Sequence, residues 1–120
     1  MRIMKTNILK EKSYQFALKM VKLFQHLSVE RKEYVLSKQI LRLGTSIGAN
    51  IEEAYQAESR PDFIHKLSIA NKEAFETNYW LRLLRDGIVI ETPIAESLLS
   101  DCDELQRMLV AAIKTSKSRK

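Results

Sequence analysis

LRLGTSIGANIEEA, residues 41 to 54, decides the fold, because Gly44 and Gly48 fall in the middle of what otherwise reads as one long helix. The stretch could be a phosphate-cradling loop, a break between two elements, or a helix whose glycines serve packing. Apolar spacing chooses the last. Leu36, Ile40, Leu43, Ile47, Asn50, Ala54 and Ala57 alternate steps of four and three, which keeps one stripe on one side of a helix through the whole glycine region. GTSIGAN matches neither G-x-x-x-x-G-K-[ST] nor G-x-G-x-x-G, and no strand precedes it, which leaves the phosphate loop the weak alternative. Each glycine costs roughly 1 kcal/mol against alanine inside a helix. Close packing can offset that. Spaced by four on a second stripe of Ser37, Leu41, Gly44, Gly48, Ile51 and Tyr55, they make a flat notch against which a neighbouring helix or another subunit can lie. Gly44, Gly48, Ile51 and Tyr55 are therefore read as a helix-packing or oligomer interface, and Gly48→Leu is expected to disrupt the bundle or the oligomer.

Working outward, the same rhythm recurs. Phe63, Leu67, Ala70, Ala74, Thr77, Leu81 and Leu84 carry it over a third helix of about 39 Å at ~1.5 Å per residue. Phe16, Met20, Leu23 and Leu27 mark a first helix, and Ala95, Leu98, Cys102, Leu105, Leu109 and Ala112 a fourth. Ser59 with Asp62 three residues on and Pro61 in the first turn reads as one helix start, and Thr92 before Pro93 as another. Gly87 ends the third helix, and SVERKE turns the chain after the first. Short connections make consecutive helices antiparallel. The expected fold is all-α, an antiparallel up-down-up-down four-helix bundle, as one domain over residues 1–120 with a frayed basic tail, 114–120.

Composition narrows the function classes. The chain has 120 residues, only three glycines and two prolines, and 29% charged residues, which fits one helical domain with a real core. Cys102 is the single cysteine, so no intrachain disulfide or cysteine-based metal site can form, and a reduced, cytoplasmic setting is expected. No apolar run approaches the ~20 residues that span a bilayer, and MRIMKTNILKEK lacks the pattern of a signal peptide. Net charge is +5, unevenly spread. Residues 1–42 carry ten Lys and Arg against three acids, residues 43–113 carry six against twelve, and the last seven residues carry four against none.

KEYVLSKQILRLGTSIGANIEEA followed by DFIHKLSIANKEAFETNYWLRLL resembles the four-helix-bundle family encoded in 23S rRNA intervening sequences, over nearly the whole chain from about Ser13 to Leu109. Similar bundles serve as the accessory protein of diversity-generating retroelements, a positively charged homopentameric barrel that binds reverse transcriptase and nucleic acid. The resemblance thus implies a homo-oligomer, a pentamer, with RNA or DNA and a reverse transcriptase as partners.

The residues themselves offer one functional surface. In an up-down-up-down bundle the start of helix 1, the turn between helices 2 and 3 and the end of helix 4 share one end. That gathers Arg2, Lys5, Lys10, Lys12 and Arg60 with Lys114, Lys117, Arg119 and Lys120. Such a basic pole would contact phosphates without reading sequence, against the bland reading of merely solvated lysines. Tyr14, Tyr34, Tyr55 and Tyr79 could stack on unpaired bases but suit interfaces equally well.

Asn50, Glu53, Glu73, Glu76 and Thr77 read as a structural polar network that fixes helix register, with a metal or catalytic carboxylate site as the sharper alternative. A di-iron bundle would need Glu-x-x-His on two helices. Only Asp62 and His65 approximate it, and neither histidine nor Cys102 joins a nucleophilic grouping, so no catalytic residue, cofactor or metal is expected. The sequence reading is a non-enzymatic, self-associating accessory protein that binds structured RNA through the basic pole, with a protein-interaction scaffold as the alternative.

Overall fold

The computed structural model describes residues 7–119. Four α-helices account for most of them: α1 (Ile8–Gln25), α2 (Val35–Ala54), α3 (Arg60–Asp86) and α4 (Thr92–Ser118). Cross-helix contacts establish the topology. Met20 and Ser13 of α1 meet Gly44 and Gly48 of α2 in reverse order, and Asn50 and Glu53 of α2 reach Glu73 and Lys66 of α3. Ala74 and Arg85 of α3 meet Cys102 and Glu96 of α4, while Lys12 and Lys19 of α1 meet Glu104 and Asp101 of α4. In every pair one number rises as the other falls, so each neighbouring pair is antiparallel and the bundle is up-down-up-down.

The core is the set of stripes read from the sequence. Phe16, Met20 and Leu27 of the first helical segment, Ile40, Leu43, Ile47 and Ile51 of α2, Leu67, Leu81 and Leu84 of α3, and Leu105 and Leu109 of α4 are all fully buried. Their removal from water is the main force holding four otherwise hydrophilic helices together. Cys102 lies in the same layer, where its thiol donates to the Ala74 carbonyl at 3.2 Å. Burial, with Asp103 nearby, pushes that thiol's pKa up to about 12. It packs as a small hydrophobe and is an inert thiol.

The glycines bring α1 and α2 close, and they do so unequally. A methyl group on Gly44 would come within 2.5 Å of the Met20 Cγ, too close for both atoms to stay where they are. One on Gly48 would find the Ser13 carbonyl oxygen at 3.5 Å, an ordinary contact. Ile51 is buried beside them, whereas Tyr55 of the same stripe is 40% exposed.

Helix ends differ from expectation in instructive places. Ser59 caps α3, its hydroxyl accepting from the Asp62 amide at 3.2 Å. Thr92, read as a cap, is instead the first residue of α4, with Glu91 in the cap position and no side-chain cap bond. Pro93 is tolerated because first-turn amides lack helical partners in any case. Gly87 does end α3, but at φ −81 it is not left-handed. A side chain there would strike the Leu83 carbonyl at 2.9 Å. The left-handed turn falls on Ile88, at φ 58, a strained choice for a β-branched residue.

The first connection is also more built than a simple turn. α1 runs into one turn of π-helix, His26–Glu30, in which His26 Nδ1 and Glu30 Oε2 lie 2.7 Å apart. Glu33 then caps α2. Its carboxylate accepts from the amides of Ser37 at 2.7 Å, Leu36 at 3.0 Å and Val35 at 3.2 Å. Burial alone would raise the Glu33 pKa, but the amides of Leu36, Ser37 and Val35 outweigh it and hold the carboxyl below the usual glutamate value. At the other end, α4 continues through Ser118. Residues 114–118, expected to fray, are helical, and Lys117 in the last turn complements the negative end of the helix dipole.

Candidate nucleic-acid interface

The bundle brings the end of α4 against the α2–α3 turn. The Arg60 guanidinium donates to the Arg119 carbonyl, and Arg60 and Arg119 share a hollow of about 320 Å³ with Ala54, Tyr55, Ala57, Ser59, Phe63 and Ser116. The start of α1 joins the same end, where Ile8, Leu9, Tyr55, Met108, Ala111 and Ala112 line an open groove of about 580 Å³. Three separate segments therefore converge, as the topology requires. Of the nine cations assigned to this pole, Arg2, Lys5 and Lys120 lie outside the described residues.

Besides Arg60, the five that are described divide into two groups. Lys10 pairs with Glu52 at 3.3 Å and Lys12 with Glu104 at 3.0 Å, so each is already matched by a carboxylate. Lys114, Lys117 and Arg119 are exposed along the end of α4, and neither lysine has an ion-pair partner among the described residues. A second feature divides the same end. Glu52, Glu53, Gln56, Glu58, Asp62 and Lys66 surround a depression of about 500 Å³ on the α2–α3 side. Within it Lys66 and Glu53 pair at 2.9 Å, and that contact is the main cause of the raised Lys66 pKa. The end is positive along α4 and acidic along the α2–α3 turn.

The tyrosines do not form one platform. Tyr14 is on α1, Tyr34 precedes α2, Tyr55 follows α2 and Tyr79 is on α3, and all four are exposed. Tyr55 packs edge-on against Phe63 at 5.3 Å, with the Lys10 ammonium 5.9 Å from its ring centre. Tyr79 packs edge-on against Trp80 at 5.8 Å, and the Arg82 guanidinium sits over it at 5.7 Å.

Of the residues expected in a polar network, hydrogen bonds join Asn50, Glu73 and Thr77 and leave Glu53 and Glu76 apart. Asn50 donates to Glu73 Oε1 at 2.8 Å and to the Ser46 carbonyl at 3.0 Å, and the Ser46 hydroxyl donates to Glu73 Oε2 at 2.7 Å. Thr77 is buried and donates to the backbone carbonyl of Glu73 at 2.7 Å. Glu73 thus ties α2 to α3 with both carboxylate oxygens occupied. Glu53 does not belong to this group, since it faces Lys66, and Glu76 is exposed with no partner among the described residues. Ser46 was missed because one serine a turn before Asn50 looks like any other helical serine. Among the described residues no three His, Cys, Asp or Glu side chains are grouped to hold a metal ion, and no helix is long and apolar enough to cross a membrane.

Comparison with known proteins fits this architecture. A solved structure described as a protein of unknown function from the S23 ribosomal protein family of Bacteroides thetaiotaomicron VPI-5482 is 54% identical to this chain and superposes with a TM-score of 0.89. The match covers 92% of this chain and 99% of that one. No curated protein matches. The model of the 23S rRNA-intervening sequence protein family matches residues 5–111, and the chain belongs to that family.

Proposed function

We propose that this protein is a non-enzymatic, self-associating accessory protein that binds nucleic acid, structured RNA, through the cationic end of α4 without reading base sequence. The observation that carries the reading is the cluster of Lys114 and Lys117 on the last turns of α4 with Arg119 just past its end, all exposed, and Arg119 docked beside Arg60. Helical order supports it, because cations fixed on a rigid element meet phosphates at a smaller entropic cost than cations on a loose tail. Lys10 and Lys12 take a lesser part, since a phosphate must compete with Glu52 and Glu104 for them. The acidic α2–α3 side repels the same polyanion and so orients it along α4. RNA or DNA, a reverse transcriptase and a ring of five copies remain the partners that the family resemblance implies.

The test is fluorescence anisotropy of a labelled structured RNA over a salt series, beside a control protein of similar pI. Binding tighter than the control is expected. Replacing Lys114, Lys117 and Arg119 with glutamine together should weaken it and lower the log–log salt slope by about two to three released counterions. Unchanged affinity in that variant would remove α4 from the interface. Binding no better than the control would favour the protein-interaction scaffold, a reading that the exposed Phe75, Tyr79 and Leu83 of α3 also support.

A further inference from the structure

The hollow of about 320 Å³ where α4 ends against the α2–α3 turn combines two chemistries that suit one class of ligand. Tyr55 and Phe63 give it aromatic surface. Their rings stand at 79° with centroids 5.3 Å apart, so they form a corner in which a flat ring laid on one abuts the other. Ala54 and Ala57 beside them are small and leave the corner open. Arg60 and Arg119 give the hollow positive charge, and the bond from the Arg60 guanidinium to the Arg119 carbonyl holds the two residues together at its rim. Ser116, half-buried on α4, adds a hydroxyl with no hydrogen-bond partner among the described residues.

An aromatic corner beside two guanidiniums matches a planar heterocycle joined to a phosphate. Any base stacks on tyrosine or phenylalanine, since every base has a π-face, and arginine takes phosphate through paired N–H donors. Volume sets the number. The hollow lies near the lower limit of ligand pockets, about 300 Å³, which leaves room for one nucleotide and none for a base pair. A base inside a duplex is covered on both faces by its neighbours, so the one that enters must be unpaired and unstacked. Continuity with α4 says where it comes from. Ser116 stands between Lys114 and Lys117 in the chain and Arg119 follows two residues on, so a strand held by those cations passes the mouth of the hollow. The contacts along α4 raise the local concentration of its nucleotides there, an advantage that a free mononucleotide lacks.

We infer that this hollow seats one unpaired nucleotide, looped out of or terminal to the nucleic acid that α4 holds, with its base on Tyr55 and Phe63 and its phosphate on Arg60 and Arg119. The inference rests on the proposed nucleic-acid reading and adds a preference to it: base sequence is not read, but a break in pairing is.

The experiment is fluorescence anisotropy of the full chain with two labelled, blunt-ended RNA duplexes, one fully paired and one carrying a single bulged nucleotide, beside the control protein of similar pI. The bulged duplex should bind about tenfold tighter, the effect of stacking one base. An abasic residue at the bulge should remove that preference, because the backbone remains and the base does not. Tyr55→Ala strips the corner from α2 and Ser116→Phe fills the hollow from α4. Each should bring the ratio of the two affinities to about one, whereas Tyr55→Phe should keep it. Tyr55 is 40% exposed and both positions lie at helix ends, and circular dichroism checks that the variants remain folded. Equal affinity of the unaltered chain for the two duplexes, or a preference that survived the abasic residue and both variants, would overturn the hollow and leave nucleic-acid binding standing. Binding of neither duplex above the control would overturn the proposed reading and the hollow with it.

Discussion

The two sides of α1 are held in opposite ways. Against α2 the helix is packed through glycine, with Met20 above Gly44 and Ser13 above Gly48. Against α4 the link at the rim is ionic, through Lys12 with Glu104 and Lys19 with Asp101 at 2.6 Å, beside a hollow of about 180 Å³ floored by Phe16 and Leu105. The first side depends on shape, and a close-packed interior responds sharply to added atoms. The second depends on exposed charges, whose attraction water largely screens. The same helix should therefore be intolerant of change on one side and indifferent to it on the other.

Gly44→Leu is the largest break. It drives a branched side chain into Met20 and is expected to lower unfolding stability by about 3 kcal/mol, read from the urea midpoint. A loss below about 1 kcal/mol would mean that α1 is not packed as closely as its contacts indicate. Glu33→Ala removes the carboxylate that caps α2 where the chain returns from α1, and should cost about 1 kcal/mol near neutral pH. Because the Glu33 pKa is depressed in the folded protein, its contribution is complete above the usual glutamate value of about 4.3 and fades as pH falls through the lower folded value. The difference between parent and Glu33→Ala should accordingly shrink in acid. A gap that stayed constant down to low pH would assign the cap's effect to something other than the carboxylate charge.

On the ionic side, Lys12→Ala with Lys19→Ala should cost less than about 1 kcal/mol for the pair, and less in high salt than in low. A larger loss would show that the α1–α4 seam relies on charge after all. Gly48→Ala is the smallest change and sharpens the first comparison. Its methyl group finds ordinary contacts at the Ser13 backbone and gains helix propensity, so stability should stay within about 0.5 kcal/mol or rise slightly. If Gly48→Ala proved as damaging as Gly44→Leu, the glycines would be equivalent, and the distinction drawn from Met20 would fail.

Much of this molecule was legible in its residues. The four-three stripes identify all four helices and the buried layer, including Cys102 and Thr77, because burial of one helical face is a periodic demand that the sequence must meet locally. The short connections fix the antiparallel order for the same reason, and with it the meeting of Arg60 with the end of α4. Tertiary structure alone decided the rest, since side-chain pairing depends on which rotamers two helices bring within reach. It matched Lys10 and Lys12 with carboxylates, set an acidic side beside the positive one, chose Ser46 over Glu53 and Glu76 as the partner of Glu73, and gave the left-handed turn to Ile88 when Gly87 stood next to it. Periodicity says which way a residue faces; only the packed helices say what it faces.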